Sequence, residues 1–171
     1  FMGLVGSEMC IRDSYIRWPS KFSQIEKNLI QISNLPNNVQ IELLNSLNVL
    51  SMFNYYQFLK WCKKIEAIFE ANKKIFRIVP MKVQSPKKYS PFLAPQSLKE
   101  KFTNDVQMFM KESNLTHNSN WRTEMMLIVK QINSTSNDDQ IIDSLKETIK
   151  ALDLKRDKKI TNYIPDIYEY I

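Results

Sequence analysis

Three asparagines near residue 50 are the side chains best suited to binding chemistry. Asn45 and Asn48 fall at the end of a strand-like stretch, and Asn54 opens a helix-like one. An asparagine amide offers both a donor and an acceptor, which suits ribose hydroxyls or a carboxylate. Asparagine is also a preferred helix cap. These positions therefore predict either contacts to a small ligand or ordinary capping, and for Asn54 the position favours capping.

Asn45 is harder to explain as a cap because it alternates with apolar residues. In a strand it shares one face with Ile41, Leu43 and Leu47, while Leu44 lies on the other face. A buried amide without a partner costs roughly 1–3 kcal/mol. Neighbouring groups, water or a ligand must therefore satisfy Asn45.

A strand–helix–strand pattern must position these asparagines. Val39–Leu50 and Ile75–Val83 have the character of strands, and Tyr55–Ala71 that of an amphipathic helix. A unit of this length is a βαβ crossover, which implies a parallel sheet buried on both faces. Such sheets bind ligands at the carboxyl ends of their strands. Pro80 lacks an N–H group and predicts a bulge or a split in the second strand.

Several familiar kinds of site are excluded or disfavoured. From Ser7 onward there is no glycine, which excludes the glycine-rich phosphate loops. His117 is the sole histidine and is expected in an exposed loop, because a zinc site or a catalytic triad needs further groups. Cys62 lies on an apolar helix stripe and is expected to be a small buried hydrophobe. Apart from Cys10 in the first 14 residues it is the only cysteine, which excludes a disulfide framework and suits the reducing cytoplasm.

The overall charge and hydropathy narrow the possible partners. The formal net charge is +6, but lysines and acidic residues are interleaved along the chain. This pattern favours a solvated surface over a nucleic-acid face, whose footprint should be clustered. No apolar run approaches the roughly 20 residues of a membrane span. We therefore expect a cytoplasmic protein without membrane association, for which nucleic acid is an unlikely ligand.

The chain divides by composition into three parts. Residues 1–14 lack a hydrophobic period and resemble translated sequencing adapter, so they are expected to be a non-native or disordered tail. Residues 15–95 contain a helix that Ser20 is expected to cap, and then the crossover. Residues 96–171 are expected to form helices separated by polar loops, and Asn137 or Asp138 is expected to cap the last long helix. If the tail is foreign, the chain is a fragment of a longer protein.

Four segments carry a resemblance to a known family. They are YIRWPSKFSQIEKNLIQISNLP, VQIELLNSLNVLSMFNYYQFLKW, RIVPMKVQSPKKYSPFLAP and SLKETIKALDLKRDKKITNYIPDIYEYI. Together they resemble the C-terminal half of radical S-adenosylmethionine enzymes of the twitch-domain type. The resemblance implies an α/β fold: a partial (β/α) barrel of late strands followed by a helical C-terminal extension.

The resemblance also implies a chemistry for the parent protein. Such a parent would use a [4Fe–4S] cluster to cleave S-adenosylmethionine reductively and abstract hydrogen from a peptide or small-metabolite substrate. The family's Cys-x3-Cys-x2-Cys loop is not in this sequence, and Cys10 and Cys62 cannot replace it. The chain as given is therefore expected to be inactive, to bind neither cofactor alone, and to need the missing N-terminal half of the barrel as its partner.

Specific residues carry over from the resemblance to the expected sites. The residues assigned to cofactor binding are Asn45, Asn48, Asn54, Val83, Gln84 and Pro86. Those assigned to the substrate pocket are Arg17 and Tyr89.

Two alternative functions remain open for the same chain. The first is a basic, mostly helical module that binds RNA or protein without catalysis. Its lysines, with nearby tyrosines, would provide cations and stacking rings; they are Lys60, Lys63, Lys64, Lys155, Lys158 and Lys159. The second is a degenerate structural partner of an enzyme that never had the cysteines. In the fragment interpretation, an open parallel sheet predicts poor folding of the chain alone.

Overall fold

The computed structural model describes residues 22–36, 40–113, 120–136 and 138–171, without the side chains of residues 120 and 121. Several expectations lie outside these residues. They are the tail at 1–14, the pocket assignment of Arg17, the cap at Ser20 and the loop position of His117.

Six α-helices and two strands make up the regular structure of the described residues. In chain order they are α1 Phe22–Ser33, β1 Gln40–Leu47, α2 Tyr55–Ala71, β2 Ile75–Lys82, α3 Gln96–Glu112, α4 Asn120–Asn133, α5 Asp139–Arg156 and α6 Ile167–Tyr170. Short 3-10 turns occupy Ser51–Asn54, Lys87–Tyr89, Pro91–Leu93 and Ile160–Asn162. Within the described ranges, no helix is both long and apolar enough to cross a membrane.

The predicted partial (β/α) barrel is wrong. The described residues are mostly helical (67%), and their only sheet consists of the parallel pair β1 and β2. The expected crossover did form, since α2 connects these two strands. A barrel needs more strands than one crossover supplies, and the residues after β2 adopt helices, as their 3.6-residue period requires.

The sheet also differs from the expected central parallel sheet. Along β1, residues alternate between exposed and more buried positions, and Leu44 is 54% exposed. One face of the strand is therefore not covered as a fully buried parallel strand would be. β2 runs from Ile75 to Lys82 through Pro80, so the split that was one of the two outcomes predicted for Pro80 does not occur.

The described chain forms two compact units. The first unit contains the described residues up to Asn45 together with Gln57–Val79, and the second contains Ser46–Tyr56 with Pro80–Ile171.

In the first unit, α1 packs on α2 through aromatic and polar contacts. The rings of Phe22 and Trp61 lie 4.7 Å apart, and the Trp61 indole donates to the Glu26 carboxylate at 3.2 Å. Further along α2, the ring of Phe69 packs against that of Phe76 of β2, with centroids 5.4 Å apart and planes tilted by 40°. Cys62 is fully buried on the same helix, as predicted, and burial raises the pKa of its thiol well above the ordinary value.

The end of α2 carries an unusual lysine pair. Lys73 adopts a left-handed conformation with a φ of 55°, and the Lys74 amide bonds back to the Phe69 carbonyl at 2.9 Å. This is the geometry of a helix C-terminus that usually takes glycine. The buried Lys74 ammonium donates to carbonyls at the end of α1, those of Ser33 and Leu35 among them. It therefore satisfies groups that the end of a helix leaves unpaired.

In the second unit, α3, α4 and α5 contribute apolar stripes to the core. The buried residues of these stripes are Leu98, Phe102, Val106, Phe109, Met110, Met125, Ile128, Val129, Ile132, Leu145 and Ile149. Asp138 caps α5 by accepting from the amides of Gln140 and Ile141, at 3.1 and 3.3 Å. This confirms the expected cap at residue 137 or 138.

Candidate functional site at the strand ends

Two backbone hydrogen bonds bring together the segments that follow the strands. The Val83 amide donates to the Leu47 carbonyl at 2.9 Å, and the Val49 amide donates to the Tyr89 carbonyl at 3.0 Å. All four residues belong to the second unit. Because parallel strands end at the same edge of their sheet, the polar residues after β1 lie beside those after β2. This edge is the candidate site.

Asn48 is occupied by its own turn. Its Oδ1 accepts from the amides of Leu50 and Ser51, at 3.0 and 3.2 Å, and its Nδ2 donates to the Ser46 carbonyl at 3.3 Å. The Ser51 hydroxyl also donates to the Asn48 carbonyl at 2.7 Å. Asparagine commonly builds turns in this way. The geometry therefore gives Asn48 a clear structural role.

Asn54 presents a different situation. Its Nδ2 atom is buried and has no hydrogen-bond partner within the described part of the chain. The neighbouring Phe53 carbonyl, in contrast, accepts from Lys101 at 3.0 Å, and Lys101 also pairs with Asp105 at 3.0 Å. An unsatisfied buried donor costs about 1–3 kcal/mol. A ligand atom or a water that accepted from Asn54 would remove that cost.

Asn45 belongs to the first unit, whereas Asn48 and Asn54 belong to the second. It is only 8% exposed, as its place among apolar residues implied, and it has interaction partners.

The remaining predicted residues follow β2. Val83 and Tyr89 are half-buried, whereas Gln84 and Pro86 are exposed. Tyr89 contributes its carbonyl to the end of β1. Beside it, the Lys88 ammonium lies 5.7 Å from the Tyr89 ring centroid and donates to the Thr148 hydroxyl at 2.8 Å. Lys88 therefore supplies a positive charge close to the candidate site.

The groups at this edge are suited to contacting a ligand. They are amide donors, backbone carbonyls, a tyrosine ring and an ammonium group. Nearby, the Tyr56 hydroxyl donates to the Glu112 carboxylate, which together with burial raises the pKa of Tyr56. Within the described residues, no group of three or more side chains is placed to hold a metal ion.

The sequence did not lead us to predict that some lysines are buried and hydrogen-bonded inside the fold. Lys99 has 0% of its surface exposed, and its ammonium donates to the Thr135 carbonyl at 2.5 Å. Burial lowers the pKa of Lys99 below its ordinary value. A helical reading could have found it, because Lys99 stands three and seven residues before the buried Phe102 and Val106, and such positions share one helix face.

No known protein family, curated protein or solved structure matches the chain.

Proposed function

We propose that this chain is part of a radical S-adenosylmethionine enzyme and contributes to its cofactor site. The complete enzyme would cleave S-adenosylmethionine reductively and abstract hydrogen from a peptide or a small metabolite. The supporting observation is the parallel β1–α2–β2 crossover, whose strand ends are brought together by the bonds of Val83 and Tyr89. Parallel sheets bind their ligands at this edge.

The side chains at the edge suit the cofactor's polar groups. The buried Asn54 amide would donate to a ribose hydroxyl or to the methionine carboxylate, and Lys88 would complement that carboxylate. The cluster would come from a cysteine loop elsewhere in the enzyme, since Cys62 is fully buried on α2. A free buried thiol of this kind suits the reducing cytoplasm, the compartment proposed here.

The decisive experiment is to recover the coding sequence upstream of Tyr15 from the source RNA. A Cys-x3-Cys-x2-Cys loop in frame would support the proposal. A start codon directly before Tyr15, or upstream coding sequence without such a loop, would refute it.

The chain itself allows a second measurement. S-adenosylmethionine would be titrated into the 15N-labelled chain, and amide shifts would be followed by NMR. Because the chain alone is not expected to hold the cofactor stably, we expect only residual contact, with a Kd of about 1 mM or more, and shifts concentrated at Leu50–Asn54 and Lys88–Tyr89. Replacing Asn54 by alanine should weaken binding, whereas the same change at Asn104, an exposed residue on α3, should not. Shifts spread over the whole chain would contradict the assignment.

A second candidate is the basic, mostly helical binding module, which the high helix content favours. The expected lysine faces are partly neutralised, however, because Lys63 pairs with Glu66 at 2.6 Å and Lys64 with Glu26 at 3.1 Å. Fluorescence anisotropy with single-stranded RNA would distinguish the candidates. Binding that falls steeply between about 50 and 200 mM salt would favour the module, because phosphate neutralisation is salt-sensitive.

A further inference from the structure

The segment that follows β2 places a serine among positive charges. Residues 71–99 contain no aspartate or glutamate. The cations in this stretch are Lys73, Lys74, Arg77, Lys82, Lys87, Lys88 and Lys99. Three of them, Lys82, Lys87 and Lys88, flank Ser85 in the sequence. A negative group attached to Ser85 would therefore have only positive charges as its neighbours along the chain.

Ser85 itself is accessible. β2 ends at Lys82 and a 3-10 turn begins at Lys87, so Ser85 lies in the irregular backbone between them. Residues 84–87 are all exposed. Exposed loops of this kind are where modifying enzymes gain access, because such an enzyme must draw several residues of the chain into its own cleft.

The residues after Ser85 match the substrate pattern of one class of modifying enzyme. Pro86 follows directly and has no N–H group, so it suits a cleft that offers no acceptor at that position. Lys88 stands three residues after the serine, and its ammonium keeps its charge because it donates to the neutral Thr148 hydroxyl, at 2.8 Å. A serine with proline next to it and lysine at the third position is a substrate pattern of cyclin-dependent protein kinases.

We propose that Ser85 is phosphorylated by a proline-directed protein kinase of this class. The Ser85 hydroxyl oxygen attacks the γ-phosphorus of ATP, the bond from that phosphorus to the oxygen of the β-phosphate breaks, and ADP leaves. The hydroxyl proton goes to the catalytic aspartate of the kinase. The phosphoserine carries a charge of about −1.5 to −2 at pH 7, which the adjacent Lys87 and Lys88 complement.

The same loop contains a second serine–proline step, and the structure distinguishes it from the first. Ser90 precedes Pro91, but only 5% of Ser90 is exposed and Pro91 is buried as well. The Ser90 amide donates to the Lys87 carbonyl at 2.9 Å, which ties this serine to the 3-10 turn. The third residue after Ser90 is Leu93, which is not a cation. Of the two serines, only Ser85 therefore meets the requirements of the kinase.

Phosphorylation would also change the candidate site at the strand ends. Lys88 supplies a positive charge there, and a phosphate three residues away along the chain offsets it. The affinity of that edge for an anionic group, such as the carboxylate of S-adenosylmethionine, should fall. This consequence rests on the proposed function, whereas the modification itself does not.

The test is to incubate the full chain with ATP and a cyclin-dependent protein kinase and to locate the phosphate by tandem mass spectrometry. We expect one phosphate, at Ser85. Ser85→Ala should abolish the modification, and Ser90→Ala should not. Lys88→Gln should lower the kcat/KM of the kinase for this chain by about tenfold, the effect of losing one bond from a charged group. Lys111→Gln, at an exposed position on α3, is the matched control and should leave it unchanged.

The proposal would be overturned if the folded chain took up no phosphate, or if the phosphate were found at Ser90 or elsewhere and not at Ser85. An unchanged rate for Pro86→Ala would also overturn it. Repeating the titration with S-adenosylmethionine on the phosphorylated chain keeps the two proposals apart. A Kd that stays the same with Ser85 phosphorylated would count against Lys88 as a cofactor contact, but not against the modification.

Discussion

Replacing Lys99 by methionine tests whether the charged ammonium group of this lysine is buried in the protein interior. The side chain has no exposed surface and its ammonium donates to the Thr135 carbonyl. A hydrogen bond from a charged group contributes about 1.5–3 kcal/mol. Against that stands the cost of removing the ammonium from water, which is the cause of the lowered pKa of Lys99.

Because these contributions oppose each other, we expect only a small change in unfolding free energy for Lys99→Met. For Lys99→Ala we expect a large one. Methionine keeps the apolar length of the side chain and removes the desolvated charge, and replacing buried ions by apolar groups is often neutral or stabilising. The half-buried Thr135 can take water as a replacement donor for its carbonyl. Lys99→Ala instead leaves a cavity, and such truncations in a core cost about 2–5 kcal/mol. We expect Lys99→Met to lie within about 1 kcal/mol of the parent chain at pH 7.

The lowered pKa adds a dependence on pH. In the unfolded chain Lys99 binds its proton more tightly, with an ordinary pKa of 10.5. Stability rises with pH wherever the unfolded state binds more protons. The burial cost is therefore fully present below the folded-state pKa, and it disappears as the pH rises from that value to above 10.5. Over that pH window, the unfolding free energy of the parent chain should therefore rise relative to that of Lys99→Met.

Urea unfolding followed by circular dichroism, at a series of pH values from 7 to about 10.5, measures both effects. The reasoning would be refuted if Lys99→Met were as destabilising as Lys99→Ala. It would also be refuted if the difference between the parent chain and Lys99→Met did not change with pH.

Three further substitutions test local features of the fold by the same unfolding measurement. Lys73→Gly should raise the unfolding free energy by about 0.5–1 kcal/mol, because glycine takes positive φ without strain; a loss would contradict this. Asp138→Ala should lower it by about 1 kcal/mol by removing the α5 cap, whereas Asp139→Ala should have a smaller effect. Asn54→Leu should leave it unchanged or higher, since the buried Nδ2 has no partner in the described chain; a loss above about 1 kcal/mol would show that a partner exists.

Local periodicity was enough to locate most regular elements. The helix predicted at Tyr55–Ala71 has those bounds in the structure, and the strands differ from β1 and β2 by a few residues at their ends. The burial of Cys62 and the cap at Asp138 also followed from the sequence. These features depend on residues close in the chain, so nearby sequence contains the information that they need.

The number of strands could not be obtained in the same way. One crossover is compatible with a barrel, an open sheet or an isolated pair, and the resemblance suggested the wrong choice. The sequence likewise did not determine the role of Asn48, because an asparagine after a strand can bind a ligand or build a turn. Its three hydrogen bonds to Ser46, Leu50 and Ser51 decided for the turn.

The sequence by itself determined where most helices and strands form, that residue 137 or 138 caps α5, and that no glycine-rich phosphate loop follows Ser7. Only the tertiary structure decided that Leu44 is exposed and that Lys74 and Lys99 are buried. The physical reason is that burial depends on what packs over a side chain. A strand or helix has the same period whether its second face meets a neighbouring element or the solvent.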